Sequence, residues 1–307
     1  MVVPSYRRAE LLPRLLAALE AQTTPSDQIE VIVVDNGSHD ETAEVLGGLA
    51  RRSSLRVRLL SVDVNRGPAA ARNLGWRSAG APVIAFIDDD CVPDRRWVES
   101  GLRLLGADQG IGIVQGRTVQ PPDQARTAWT VYRQVGQLSG LWEGCNLFVR
   151  RAALEESGGF DESIGWYGED TALGWSVLAA GWEGAFEDDA VVTHDQAERS
   201  VRWHMEQAFL EGNHIGLATR FPGFHATFWR PWAYRRRNAL FALAVVGLVL
   251  GAWRRQALLL ALPWAWVRRP PRRYHSSIRL LAERAAVDAS GFAGMAVGSI
   301  RHRRFVL

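Results

Sequence analysis

Three consecutive aspartates, residues 88–90, directly follow the apolar run VIAFI at 83–87. The run predicts a buried strand that carries the three acids at its carboxyl end. Along an extended chain, Asp88 and Asp90 would point to one side and Asp89 to the other. Two carboxylates that face open space suit Mg²⁺ or Mn²⁺, because these cations prefer oxygen ligands and would relieve the repulsion. A solvated turn is the alternative interpretation.

A second acidic pair, Glu169 and Asp170, lies at the start of the segment GEDTALGWSVLAAG, residues 168–181. The pattern predicts a helix whose first turn holds both acids and which Gly181 ends. Carboxylates at a helix N-terminus complement the helix dipole. A carboxylate fixed in this position can also accept a proton as a general base. The pair alone leaves both interpretations open.

Composition excludes some chemistry. All 36 basic residues are arginine, so no mechanism that requires a lysine is available to this chain. The two cysteines, Cys91 and Cys145, make neither a disulfide framework nor a metal cluster, which favours a reducing compartment. Because a strand-like segment begins at residue 2, we expect no signal peptide.

Strand and helix signals alternate through the first half of the chain. This alternation predicts an α/β fold with a mostly parallel sheet, in which ligands bind at the carboxyl ends of the strands. The acids at 88–90 and the pair Asp35–Asn36 both lie at such ends. Strands are predicted at 2–6, 29–34, 56–62, 83–88, 111–120 and 185–195, and helices at 68–79 and 95–105.

The two parts of the chain differ in charge. Residues 1–198 contain 18 arginines against 29 acidic residues, a net charge of −11, whereas residues 199–307 contain 18 arginines against 4 acidic residues, a net charge of +14. The chain therefore divides into an acidic domain, 1–198, and a basic region, 199–307. We expect the two regions to have different partners.

The basic region contains a pair of apolar runs, residues 239–253 and 257–267. Each run is shorter than the roughly 20 residues of a membrane-spanning helix. Tryptophans and arginines flank them, which favours a helical hairpin, 239–267, lying in the cytoplasmic face of a membrane. A buried helical pair or an oligomer interface is the alternative, and nucleic acid is not an expected partner.

Five segments taken in order resemble inverting family 2 glycosyltransferases of the GT-A fold, of the bacterial cell-envelope polysaccharide type. The resemblance covers roughly residues 1–195. It implies an enzyme that moves a sugar from a nucleotide-sugar donor to a hydroxyl of a glycan or lipid-linked acceptor. The segments are VVPSYRR, VIVVDNGSHDET, NRGPAAARNLG, FIDDDCVPD and GWYGEDTALGWSVLAAG.

The resemblance also implies roles for the donor side of the site. Asp35 corresponds to the aspartate that hydrogen-bonds the base, whereas Asn36 stands where the family often has a second acid. Asp88 is implied near the ribose and the metal, Asp90 as a direct ligand of Mg²⁺ or Mn²⁺, and His194 as a third metal ligand. The remaining implied donor contacts are Pro4, Ser5, Tyr6, Arg72, Asn73 and Asp89.

On the acceptor side, the resemblance makes Asp170 the general base and Glu169 an orienting or acceptor-binding acid. Trp166 and Tyr167 are expected to stack on a sugar face, with core packing as the alternative. The loop Gly144–Asn146 is expected beneath the donor sugar and acceptor, and Asn146 is taken as a sugar contact.

Two other functions remain open at this point. The segment DDDCV also fits the nucleophile motif of haloacid-dehalogenase-like phosphatases, with Asp88 as the nucleophile. Those enzymes use a lysine, which this chain lacks. A non-catalytic, membrane-associated module that binds nucleotide-sugars is the second alternative, although Asp88, Asp90 and Asp170 are all present.

Overall fold

The computed structural model describes residues 1–122, 124, 126–269 and 278–307. These residues form two compact units. The first comprises the described parts of 1–124 and 132–196, and the second the described parts of 125–131 and 197–307. The short segment before Tyr132 groups with residues of the basic region.

A mixed eight-stranded sheet organises the described part of the first unit, in the order β3-β2-β1-β4-β8-β6-β9-β5. Strands β1 to β4 pair in parallel, as the alternation predicts, while β8 runs antiparallel to β4 and β6. The strands are β1 (Val2–Ser5), β2 (Glu30–Asn36), β3 (Arg56–Val62), β4 (Val83–Ile87), β5 (Cys91–Pro93), β6 (Ile111–Val119), β8 (Asn146–Arg150) and β9 (Glu183–His194).

Both faces of this sheet are buried, and β2 shows why. Val31 and Val33 pack into one hydrophobic cluster, whereas Ile32 and Val34 pack into a second cluster. Successive side chains of a strand point to opposite faces, so a continuous β-branched run fills two cores at once. The helices that cover the faces are α1 (Leu12–Glu20), α2 (Thr42–Arg52), α3 (Pro68–Ser78), α4 (Trp97–Ala107), α5 (Arg151–Ser157) and α6 (Glu169–Ala179).

The strand register gathers the predicted site. Ser5 at the end of β1 lies opposite Asp35 near the end of β2. Strand β4 ends at Ile87, and β5 pairs antiparallel with β9 so that Cys91 lies opposite His194. The three aspartates therefore form the turn between β4 and β5, next to His194, rather than a continuation of β4.

The second unit is largely helical. A short antiparallel ladder joins β7 (Thr130–Val131) to β10 (Ala197–Glu198). The region of the predicted hairpin forms a helix, α10 (Arg236–Gly251), followed by a 3₁₀ segment at Arg255–Ala261 and a second helix, α11 (Leu262–Arg268). Among the described residues, no helix combines the length and the apolar character needed to cross a membrane. The helices are α7 (Val201–Leu210), α8 (Asn213–Arg220), α9 (Pro222–His225), α10 (Arg236–Gly251), α11 (Leu262–Arg268) and α12 (Ile278–Arg301).

Candidate active site

A cavity of about 330 Å³ lies at the carboxyl ends of the central strands. Pro4, Ser5 and Tyr6 line one side of it, together with Asn36 from the end of β2. The amide of Asn36 donates to Asn65 Oδ1 at 2.9 Å, so its side chain is fixed by the loop that precedes α3. The cavity therefore includes four of the residues that the resemblance implies around the nucleoside.

Arg72 ties the two acidic motifs together at the centre of the cavity. Its Nη2 donates to Asp88 Oδ1 at 2.9 Å and its Nη1 donates to Glu169 Oε1 at 3.0 Å. Burial alone would raise the pKa of Asp88, but the Arg72 guanidinium outweighs it and holds that pKa below its ordinary value. Arg72 lines the cavity, and both of its terminal nitrogens already donate to carboxylates.

Asp89 does not point away from the site, as strand alternation predicts. It is buried, accepts a hydrogen bond from Ser5 Oγ at 2.9 Å, and shares the Nη1 atom of Arg8 with Asp90. The alternation fails because β4 ends before the aspartates and the chain turns through them. Arg8 was not singled out in the sequence, although it lies two residues after Tyr6 in the same loop.

Asp90 and His194 form an arrangement that fits a cation. A carbonyl can only accept, so the contact of His194 Nδ1 with Asp195 O at 2.8 Å places a proton on Nδ1. His194 Nε2 lies 3.5 Å from Asp90 Oδ1, and that buried oxygen has no hydrogen-bond partner in the described chain. When Nδ1 carries the only ring proton, Nε2 offers a lone pair. Two opposed acceptors of this kind can bind the same divalent ion.

Cys91 lies close enough to join this pair, since its sulfur and the two neighbouring ligand atoms fall within 4.8 Å of one another. Burial, however, raises the pKa of the Cys91 thiol well above its ordinary value. A metal ligand would have to be the thiolate, so Asp90 and His194 are the better donors.

The predicted base is held in a defined orientation. Asp170 Oδ2 accepts from the backbone N–H of Gly144 at 3.0 Å, and both residues line the cavity with Glu169 and Trp166. The Gly144–Cys145 part of the predicted loop is therefore in place. Burial, followed by the charge of Asp170, raises the pKa of Glu169 from 4.5 to about 7, although Arg72 opposes the shift.

Arg133 and Glu143 also line the cavity and were not predicted. Arg133 Nη1 lies 3.2 Å from Glu143 Oε2. Burial raises the pKa of Glu143, and the nearby Asp170 and Asp88 add to this effect. Glu143 directly precedes the predicted Gly144 loop, so proximity in sequence was the available signal.

Several predicted contacts lie outside the cavity. Asn146, expected as a sugar contact, is fully buried, and its side chain bonds Trp97 Nε1 and the carbonyls of Arg117 and Ala190. Asn73, expected as a donor contact, is likewise buried and bonds Phe160, Glu162 and Trp76. Neither Asp35 nor Tyr167 is part of the cavity wall.

Comparison with known proteins identifies the chain's relatives. The family described as glycosyl transferase family 2 matches residues 1–157. The N-acetylglucosaminyl-diphospho-decaprenol L-rhamnosyltransferase of Mycobacterium tuberculosis is 30% identical over 312 residues, which cover 85% of this chain and 96% of that protein. Glycosyltransferase AglE of Haloferax volcanii is 30% identical over 207 residues, which cover 63% of this chain. The chain spans 66% of the length of AglE and about half the length of several other curated relatives.

Solved structures agree with this in fold. The mannosyltransferase PcManGT from Pyrobaculum calidifontis, in complex with GDP-Man and Mn²⁺, superposes with a TM-score of 0.63 at 22% identity. The superposition covers 98% of this chain and 86% of that one. At this identity the likeness establishes the GT-A fold.

Proposed function

We propose that this chain, which belongs to glycosyltransferase family 2 and is a glycosyltransferase, transfers a sugar with inversion from a nucleotide-sugar to a hydroxyl of a glycan or lipid-linked acceptor. One observation carries the proposal. The carboxylate of Asp170, fixed by the Gly144 N–H, lines the same cavity as Asp88 and Asp89. Because the chain belongs to this family, neither the phosphatase nor the non-catalytic interpretation is retained.

The proposed reaction is a single displacement. Asp170 accepts the proton of the acceptor hydroxyl while that oxygen bonds to the anomeric carbon of the donor sugar. The bond from that carbon to the diphosphate oxygen breaks on the opposite face, and the nucleoside diphosphate leaves. Attack opposite the leaving group inverts the anomeric centre.

The residues for a divalent cation are Asp90 and His194, with Asp88 close by. Support comes from the unpartnered Asp90 Oδ1 that faces His194 Nε2 at 3.5 Å. The mannosyltransferase PcManGT, which has the same fold, was solved with Mn²⁺ bound, and this also supports a divalent cation. When bound, Mg²⁺ or Mn²⁺ would neutralise charge on the departing diphosphate.

We further propose that the second unit binds the cytoplasmic face of a membrane, where a lipid-linked acceptor would be presented. Its apolar segment has exposed side chains that a soluble surface would not favour, and exposed arginines, Arg254, Arg255 and Arg269, lie beside them. Arg269 stacks 3.7 Å from the Trp266 ring centroid. The most exposed of the apolar side chains are Leu248, Trp253, Leu259 and Trp266.

Electron paramagnetic resonance tests the metal site, because it measures the binding of Mn²⁺ to the protein with and without UDP or GDP. We expect Asp90→Asn to weaken Mn²⁺ binding by more than about tenfold, because one of its few protein ligands is lost. EDTA should abolish sugar transfer by the wild type. The control Asp27→Asn changes an exposed acid outside the cavity and should bind Mn²⁺ like the wild type. Equal Mn²⁺ binding by Asp90→Asn and the wild type would contradict the assignment.

A further inference from the structure

Arg8 holds two of the three aspartates with a single nitrogen. Its Nη1 donates to Asp89 Oδ1 at 2.9 Å and to Asp90 Oδ2 at 2.8 Å. In the part of the chain that the structure describes, neither Nη2 nor Nε of Arg8 engages another residue. The side chain is 35% exposed and lines the cavity. One nitrogen therefore anchors the guanidinium and leaves its other donors open to a ligand.

The anchor of Arg8 is rigid. The Asp89 side chain is only 5% exposed, and its second oxygen, Oδ2, accepts from Ser5 Oγ at 2.9 Å. Ser5 ends β1 and lies in register with Asp35 on β2. The position of the Arg8 guanidinium is thus fixed relative to the strand ends that form the cavity.

Among the described residues, the other two arginines that line the cavity are less suited to an incoming anion. Arg72 is buried, and both of its terminal nitrogens donate to carboxylates. Arg133 pairs with Glu143, and the charge of Asp170 acts on both of these residues. Arg8, by contrast, contacts Asp90, which is proposed above as a ligand of the cation.

We propose that Arg8, anchored through Nη1 by Asp89 and Asp90, binds the diphosphate of the donor through Nη2 and Nε. The proposal rests on the proposed function, which supplies a nucleoside diphosphate as the ligand. A planar guanidinium can donate two parallel hydrogen bonds to phosphate oxygens. Asp89 is then a positioning residue that acts through Arg8.

The substitution Arg8→Lys separates the two tasks of this side chain. A lysine has one nitrogen, which can still contact both carboxylates, but it has no second nitrogen for a phosphate. We expect the full-length variant to unfold at the same temperature as the wild type. Its affinity for UDP or GDP, measured by titration calorimetry with Mn²⁺ present, should fall about tenfold, because one charge-assisted interaction is lost. Binding of the phosphate-free nucleoside should not change.

Arg103→Gln is the matched control, because Arg103 also bridges two carboxylates, Glu187 and Asp189, but does not line the cavity. It should bind nucleoside diphosphates like the wild type. If Arg8→Lys does not fold, Arg8→Gln measured in the same way should give at least as large a loss. Wild-type affinity in the folded Arg8 variant would overturn the proposal for Arg8. A wild-type protein that binds neither UDP nor GDP would instead overturn the proposed function.

Discussion

At the scale of single residues, one buried guanidinium links the two acidic motifs. Arg72 bonds both Asp88 and Glu169, which are 81 positions apart in sequence. A buried charge is costly unless it is paired, so the arginine and the acids require one another. Glu169 nevertheless has a pKa raised to about 7, because burial and the neighbouring Asp170 disfavour its charged form more than Arg72 favours it.

This raised pKa predicts a pH-dependent stability. The unfolded chain loses the Glu169 proton near pH 4.5, whereas the folded protein keeps it up to about pH 7. The protonated carboxyl therefore favours folding at low pH, and this contribution to stability is lost as the pH rises through 7. Between pH 5 and 8, the free energy of unfolding of the wild type should fall relative to Glu169→Gln by about 2–3 kcal/mol, the equivalent of the shift. Urea unfolding at several pH values measures this difference.

The control for this experiment is Glu44→Gln, which changes an exposed glutamate in the first turn of α2. Its unfolding free energy should follow the wild type across the same pH range. A pH dependence of Glu169→Gln identical to that of the wild type would show that the carboxyl is not perturbed by its surroundings.

At the scale of secondary-structure elements, periodicity predicted most of the first unit. β3 matches the predicted 56–62, and the helix with both acids in its first turn is α6. One periodic pattern, that of the leucines in α1, was not used to predict a helix. Leu12, Leu15, Leu16 and Leu19 recur at helical spacing, and α1 buries all four.

The alternation of side-chain direction along a strand holds only as far as the strand extends. The alternation argument for Asp88–Asp90 assumed that β4 continues, but the chain turns after Ile87 and Asp89 bonds Ser5 and Arg8 instead. The burial of Asn146 could not be predicted for a different reason. A strand residue that faces the core resembles one that faces a cavity until its long-range partners, Trp97 and Ala190, are known.

Two glycines of α4 test the packing of that helix on β8. A Cβ added at Gly101 would lie 2.2 Å from the Phe148 ring, whereas a Cβ at Gly106 would meet no atom within 4 Å. Gly101→Ala should therefore destabilise the protein by about 1–3 kcal/mol through overpacking. Gly106→Ala, the control in the same helix, should be neutral or more stable by up to about 1 kcal/mol. Denaturant unfolding compares them, and a Gly101→Ala variant as stable as Gly106→Ala would contradict the packing.

At the scale of the whole molecule, the acidic and basic parts of the sequence correspond closely to two compact units. The acidic unit contains the cavity and the proposed cation ligands Asp90 and His194, and a cation bound there would offset part of the negative charge. The basic unit combines exposed apolar side chains with arginines, and these are the features of a surface that binds anionic lipid.

Membrane binding is predicted for the full-length chain. The wild type should sediment with phosphatidylglycerol vesicles more than with phosphatidylcholine vesicles. Trp253→Glu should weaken this binding about tenfold, since it removes one large apolar side chain, 76% exposed in the structure, and adds a negative charge. The control Val64→Glu adds the same charge at an exposed apolar position of the first unit and should bind like the wild type. A wild type that stays in the supernatant with anionic vesicles would refute the proposal.

The central claim, that this cavity transfers a sugar with Asp170 as the base, is tested most directly by single-turnover transfer in Asp170→Asn. The amide keeps the size of the side chain but cannot accept the proton, so the rate of transfer should fall by at least about 100-fold, with unchanged affinity for UDP or GDP. Asp188→Asn, which alters an exposed ion pair with Arg117, should transfer at the wild-type rate. Transfer by Asp170→Asn at the wild-type rate would contradict the account.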